Sequence, residues 1–242
     1  MTTGADARIA ELARRYSLSD SATSALGTLV RLVMSDPGAA TGLRNEQRVI
    51  DDHLADSLVA LELREVRDAK VVADLGSGAG FPGLPLAIAR QDASVALIES
   101  NARKCRFLRR AAGACGLQNV RVVNSRAESW DEGIDCCDLV TARALAPLSV
   151  VAEYAAPLLR EGGSLVTWRG GRDLGVEQAA ARAAHELGLE PHAPLPVHPY
   201  TAASRRHLHL MGKVRPTPER FPRRPGVAAK RPLGGGRRRG AV

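Results

Sequence analysis

Apolar side chains recur at helical spacing over residues 5–16 and 20–35, where Leu26, Leu29, Val30 and Val33 make one face. Asp20 is a candidate cap for the second segment, and Asp36-Pro37-Gly38 ends it. A loop from Ala39 to Arg48 leads to a third helical pattern carrying Leu54, Ala55, Leu58 and Leu61. Residues 1–65 thus read as a helical subdomain. The period then changes. Short apolar runs at Lys70–Ala73, Ser94–Ile98, Val120–Val123, Asp138–Thr141 and Ser164–Trp168 predict buried strands, with helical stretches 82–91, 100–116, 146–160 and 173–188 between them. This alternation predicts an α/β fold with a Rossmann-like, doubly wound, mostly parallel sheet over residues 66–212. His207–Met211 reads as a last strand, with a weaker signal over 193–200.

Charge alters the picture at one end only. The 242 residues carry a net +8, yet residues 213–242 hold ten Lys/Arg against Glu219 alone, a local +9 that leaves −1 on the rest. Five Pro and five Gly in that tail predict no packed structure of its own. A near-neutral body must hold any nucleic acid through this tail and local arginines. No apolar run approaches the ~18 residues that span a bilayer, so no membrane partner is expected. The first residues, with Asp6, Arg8, Glu11, Arg14 and Arg15, lack the apolar stretch of a signal peptide. Cys105, Cys115, Cys136 and Cys137 form no C-x-x-C pair and read as buried free thiols, which suits a reducing cytoplasm; no metal site is expected.

Glycines follow the first strand: Asp74-Leu75-Gly76-Ser77-Gly78-Ala79-Gly80-Phe81-Pro82-Gly83. They allow positive φ and let a ligand touch the backbone. Gly78-x-Gly80-x-x-Gly83 is the dinucleotide fingerprint, whereas Asp74-x-Gly76-x-Gly78 is the shorter loop of an S-adenosylmethionine (AdoMet) domain. The acid favours the second: it repels a pyrophosphate and attracts an ammonium or sulfonium. Glu99, ending the second strand, suits the ribose of either cofactor, and Ser125-Arg126-Ala127-Glu128 lies where an adenine belongs. A nicotinamide oxidoreductase stays open, but no Tyr-x-x-x-Lys or other hydride-site set is evident.

With these residues in hand, the chain resembles the RsmG/GidB family of bacterial AdoMet-dependent 16S rRNA guanine-N7 methyltransferases. The similarity runs from about residue 40 to 233. It rests on His53-Leu54-x-Asp56-Ser57-Leu58, the loop from Asp74 through Gly83-x-Pro85-Leu86, Lys104-x-x-Phe107-Leu108 and Ser125–Glu128. Thr141-Ala142-Arg143-Ala144, Arg206-His207-Leu208 and the tail Lys213-x-x-x-Thr217-Pro218, Phe221-Pro222-Arg223-x-Pro225-Gly226, Lys230-x-Pro232-Leu233 extend it. Departures are Ala142 for the usual Ser, Arg169-Gly170 for Lys-Gly, Asp52 for an arginine and Phe221 for Tyr; none touches the glycine loop.

The resemblance implies that Gly76, Phe81, Ala127, Glu128 and Arg143 bind AdoMet, beside the Asp74, Gly78 and Glu99 read from the loop and strand end. It implies transfer of a methyl group to N7 of a guanosine in 16S rRNA, presented as free rRNA, small subunit or assembly intermediate. N7 has a lone pair and no proton, so the chemistry needs placement rather than a base. Arg143 and Arg126 are the candidates to orient the guanine, and His53 and His207 read as structural. A monomer is expected. An AdoMet methyltransferase with another substrate and a non-catalytic rRNA-binding protein on this fold remain the other readings.

Overall fold

The first two apolar stripes form α1 (Gly4–Arg15) and α2 (Asp20–Ser35). The computed structural model describes residues 4–39, 41–43 and 45–235. The cap of α2 is Ser19, not Asp20: its Oγ accepts from the Ala22 amide at 3.2 Å, while Asp20 is the first helical residue and adds an acid to the first turn. The third helical pattern is one run of changing winding. It comprises α3 (Glu46–Val49), a π-helical turn over Ile50–Ala55, α4 (Asp56–Leu58) and a 3-10 turn over Val59–Glu62. Helix α5 (Arg64–Asp68) leads into the sheet.

The strands are β1 (Val71–Leu75), β2 (Ser94–Ile98), β3 (Val120–Val123), β4 (Cys137–Arg143), β5 (Leu159–Arg169), β6 (Leu189–Pro191), β7 (Leu195–Val197) and β8 (Arg206–Lys213). Helices α6 (Gly83–Ala89), α7 (Ala102–Ala114), α8 (Leu148–Ala155) and α9 (Leu174–Leu187) alternate with them. The sheet runs β3-β2-β1-β4-β5-β8-β6, with β7 also on β8. Strands β1–β5 are parallel and β8 is antiparallel. Strand β6 follows directly on α9, whose αL glycine, Gly188 at φ +82°, turns the chain; the sequence reading did not mark so short an edge.

Alternation along the strands divides the core between two faces. Val72, Leu139, Val166 and Leu210 point to the face covered by α1, α2, α6 and α7, while Ala73, Val140, Leu165 and Met211 point to α8 and α9. The N-terminal helices therefore share the sheet's core: Leu12, Leu26, Leu29 and Leu54 pack in one cluster with Leu84, Phe107 and Leu208. Cys105 and Cys137 are buried free thiols and Cys115 is half-buried, but Cys136 is exposed at the mouth of β4.

The tail departs from expectation. Residues 213–235 lie along the α8–α9 side, with Phe221 buried there and a short helix α10 at Val227–Lys230. Charge explains the docking. Glu153 on α8 is 1% exposed, and Arg223 pairs with it through Nε at 2.6 Å and through Nη2. Arg220 pairs with Glu186 at 3.1 Å, Arg215 donates to the His185 carbonyl, and buried Lys213 donates to the Ala156 carbonyl at 2.6 Å. Arg237-Arg238-Arg239 lie outside the described residues.

Removing Arg223 strands a buried carboxylate. Arg223→Ala is expected to cost about 2–3 kcal/mol, below the ~3–5 of a fully buried pair because Arg223 is partly exposed. The double variant Glu153→Gln/Arg223→Gln should recover most of that, as read from urea denaturation midpoints. Equal losses in both variants would show that the pair does not anchor the tail.

Candidate active site

Strand β1 is flanked by β2 and β4, and the connections leave it in opposite directions, so a crevice opens at the carboxyl ends of these strands. Every loop there carries a residue marked by the sequence or its neighbour. Gly76–Phe81 follows β1, Glu99 follows β2, Ser125–Glu128 follows β3, Arg143–Leu145 closes β4, and Trp168–Gly170 closes β5.

Three clefts share this edge. The first, about 340 Å³, is lined by Gly76, Glu99, Lys104, Arg126, Ala127, Glu128, Leu145 and Tyr154, among others. Gly76 sits at φ +66°, a conformation that favours glycine, and a Cβ there would meet only the tip of the exposed Leu145 side chain. Gly78, at φ +57°, faces nothing closer than 3.6 Å and leaves its backbone open. Glu99 accepts from the amides of Gly78 (3.1 Å) and Asn101 (2.8 Å), one on each oxygen. Each oxygen of this cleft-lining carboxylate has capacity for a further hydrogen bond, enough for two vicinal hydroxyls. Glu128 accepts from the Gly226 amide at 3.0 Å, so the tail holds its side chain, and Ala127 and Glu128 line the cleft. A glycine turn, a diol acceptor and an open backbone edge fit a nucleoside cofactor, with a volume in the range of small-ligand sites.

The second cleft, about 440 Å³, runs over the same turn along Gly76, Gly78, Phe81, Lys104, His53 and Arg143. The third, about 460 Å³, lies beyond Arg143 and is walled by Asp52, Asp56, Trp168, Arg169, Arg206 and His207, with Leu43 at its rim. Ala144 lines all three. It adopts φ +53°, a conformation an L-residue holds only under constraint and one that concentrates at functional sites.

Arg143 is the hub where the second and third clefts meet. Its Nη1 donates to the Asp52 carbonyl (2.9 Å) and to Asp56 Oδ2 (3.0 Å), and its Nη2 donates to His53 Nδ1 (2.9 Å). A guanidinium only donates, so at 2.9 Å it makes Nδ1 the acceptor in preference to the longer 3.2 Å approach of Nδ1 to the Asp52 carbonyl, and the His53 proton sits on Nε2, which donates to Thr41 Oγ1 at 2.8 Å. Burial and then the charge of Arg143 push the His53 pKa down to about 4, keeping the ring neutral. The ring stacks on Phe81 at 4.8 Å, and the Arg143 guanidinium lies 5.7 Å from the Phe81 centroid. Asp56 is buried, and burial lifts its carboxyl above the ordinary value although Arg143 and Arg206 oppose this. Trp168 Nε1 donates to the Asp56 carbonyl at 2.6 Å, fastening the end of β5 to the same helical run.

The structure thus gathers Gly76, Gly78, Phe81, Glu99, Ala127, Glu128 and Arg143 on the first two clefts. Arg126 is exposed and lines the first cleft, whereas Arg143 lines the second and third. Asp74 lines no cleft. It is fully buried below the turn, accepting from Thr141 Oγ1 at 2.8 Å, with its other oxygen 2.8 Å from where a Gly83 Cβ would be. Burial raises its pKa to about 6. Its Oδ1 thereby ties β1 to β4, while Oδ2 has no hydrogen-bond partner among the described residues. From sequence, Asp52, Asp56, Trp168, Arg169 and Arg206 carry no role and His53 and His207 read as structural, because the seven converge from three separate segments. The only signals were the His53-x-x-Asp56 and Arg206-His207 patterns.

Residues 38–195 match the GidB family, described as rRNA small subunit methyltransferase G. The ribosomal RNA small subunit methyltransferase G of Chloroflexus aggregans is 42% identical over 206 residues, which cover 84% of this chain and 85% of the relative. The protein of the same name from Rubrobacter xylanophilus is 42% identical over 203 residues, 81% of this chain and 77% of the relative. Among solved structures, fibrillarin of Aeropyrum pernix, in complex with natively bound S-adenosyl-L-methionine, superposes with a TM-score of 0.52. It is 18% identical and matches 65% of this chain and 72% of that one, a likeness of fold alone.

The His53 environment predicts a pH signature. A histidine depressed from 6.5 to about 4 contributes stability that is present above pH 6.5 and lost as pH falls toward 4. Asp74, raised from 3.8 to about 6, acts oppositely: its contribution is present below pH 3.8 and lost as pH rises through about 6. The two act in opposite directions over the same pH window. His53→Gln should remove the first, changing the slope of stability against pH between 4 and 6.5 by up to about 3 kcal/mol across the window. Urea titrations at half-unit pH steps check this; parallel curves for the two proteins would refute the neutral, buried ring.

Proposed function

The chain belongs to the rRNA small subunit methyltransferase G family, and from that premise we propose that it transfers a methyl group from S-adenosylmethionine to N7 of a guanosine in 16S ribosomal RNA. The observation that carries the N7 reading is the state of His53. This imidazole, at the junction of Phe81 and Arg143, has its lone pair engaged by Arg143 and its proton by Thr41, so it is not available to accept a proton. An acceptor that must lose a proton on attack would want a base there; guanine N7, with a free lone pair, does not.

When bound, AdoMet supplies an electrophilic methyl group on a sulfonium. Glu99 would hold the ribose hydroxyls, the 127–128 backbone the adenine edge, and Gly76 and Gly78 would let the ligand lie against the turn. Phe81 packs on it and Asp74 braces the turn from below. Arg143, fixed on three sides, presents its remaining edge where the second and third clefts meet. There it orients either the methionine carboxylate or the guanine O6, and catalysis consists of holding N7 in line with the methyl group. Arg126, on the nucleoside side, takes no part in orienting the base. Each copy carries every cleft residue, so a monomer suffices. The third cleft admits one nucleotide turned out of an unpaired RNA segment.

Methyl-labelled AdoMet incubated with 16S rRNA and small subunits from a strain lacking the modification should place label on N7 of one guanosine, located by mass mapping. Label on protein, or none on RNA, overturns the reading. Arg143→Ala should lower kcat/KM for that substrate by about 100-fold or more, with Arg143→Lys, which keeps a charge beside Asp56, between it and wild type. Wild-type kcat/KM and AdoMet affinity in Arg143→Ala would refute the role of Arg143.

A further inference from the structure

We propose that Arg169 binds a backbone phosphate of the RNA strand that carries the target guanosine. This rests on the methyltransferase reading above and assigns part of its substrate site. Three arginines wall the third cleft, and two are already neutralised. Arg143 pairs with Asp56 at 3.0 Å, and Arg206 pairs with Asp52 at 3.3 Å and Asp56 at 3.5 Å. Arg169 forms no ion pair among the described residues. Its one side-chain hydrogen bond runs from Nη2 to a neutral acceptor, the Ala146 carbonyl, at 2.8 Å. Most of its five donor hydrogens therefore have no protein acceptor.

A half-buried guanidinium without a counter-charge is costly, and an anion entering the cleft offsets that cost. Burial also lowers the Arg169 pKa, though an arginine stays charged at any physiological pH. His207 is the register partner of Arg169 across β5 and β8. Its Nδ1 lies 3.0 Å from the Gly170 carbonyl, which only accepts, so Nδ1 carries the proton and Nε2 keeps a lone pair, an acceptor for a ribose hydroxyl of the strand rather than for a phosphate oxygen. The planar guanidinium fork of Arg169 suits a tetrahedral oxyanion. Two anions can reach this crevice, an RNA phosphodiester and the methionine carboxylate of AdoMet. Position favours the first: Arg169 and His207 line the third cleft and neither of the two along the glycine turn. A phosphate held there anchors the strand on one side of Arg143 while the base turns toward Phe81 on the other.

The test uses the full chain and two variants. Arg169→Gln keeps an N–H for the Ala146 carbonyl and removes the charge; Arg169→Lys keeps the charge. Affinity for unmodified 16S rRNA is measured from 50 to 200 mM KCl, AdoMet affinity by calorimetry, and KM and kcat on unmodified small subunits. Arg169→Gln should raise KM about tenfold, leave AdoMet affinity at the wild-type value, and flatten the slope of log K against log salt by about 0.7, the contribution of one single-strand phosphate contact. Arg169→Lys should keep the wild-type slope. An unchanged slope and KM in Arg169→Gln, with wild-type protein still methylating RNA, overturns the phosphate assignment alone. A matching loss of AdoMet affinity overturns it in favour of the carboxylate. Failure of the wild-type protein to bind or methylate RNA overturns this proposal together with the reading it rests on.

Discussion

The tie between Arg143 and Asp56 is the contact on which the rest of the site depends. Asp56 belongs to the N-terminal helical run, Arg143 to the end of β4, and the two lie 87 positions apart in sequence. A carboxylate as buried as Asp56 is tolerable only with a cation beside it, so the pair fixes how the N-terminal helices sit against the sheet. The same guanidinium then sets His53 through its Nδ1, and His53 sets Phe81 by stacking. One ion pair thus orients an aromatic ring on the glycine turn from a helix that no nucleotide-binding fold requires. The loosened π-helical winding over Ile50–Ala55 places Asp52 and His53 next to Asp56 on the cleft side, which accords with the frequent use of such turns at functional sites.

The glycine turn depends on contacts from beneath rather than on ligand alone. Asp74 reaches from β1 to Thr141 on β4, and Gly83 lets α6 start directly against it: a Cβ at Gly83 would fall 2.3 Å from Leu97 Cδ2. The third glycine of the dinucleotide fingerprint thus serves helix-on-strand packing, a need that precedes any choice of cofactor. That is why the literal fingerprint could not decide between AdoMet and a nicotinamide. Glu99 is as neutral on the question, since a ribose is common to both.

What was legible from sequence follows from what is local. Strand and helix periods, the glycine turn, Glu99 and the 125–128 segment each lie within a few residues of one another, and all stand where the pattern put them. Two kinds of information were not local. Partnership was one: the bond between Asp74 and Thr141, and the placing of Arg126 and Arg143 on different clefts, appear only in the fold. Convergence was the other. Arg143, Trp168 and Arg206 meet because β4, β5 and β8 are adjacent in the sheet, and Asp56 joins them from the N-terminal helical run; no single window contains either adjacency.

The distribution of charge sharpens the same point. A tail with ten basic residues invites the view that RNA binding lives there, yet Arg215, Arg220 and Arg223 of that tail serve carbonyls and carboxylates of α8 and α9. Their positive charge compensates Glu153 and Glu186 before it can act on anything outside. In the third cleft the arithmetic runs the other way. Asp52 and Asp56 neutralise Arg143 and Arg206 but leave Arg169 uncompensated. A whole-chain net charge registers the tail and misses the cleft, because attraction toward a polyanion depends on which cations lack a partner and not on how many the sequence holds.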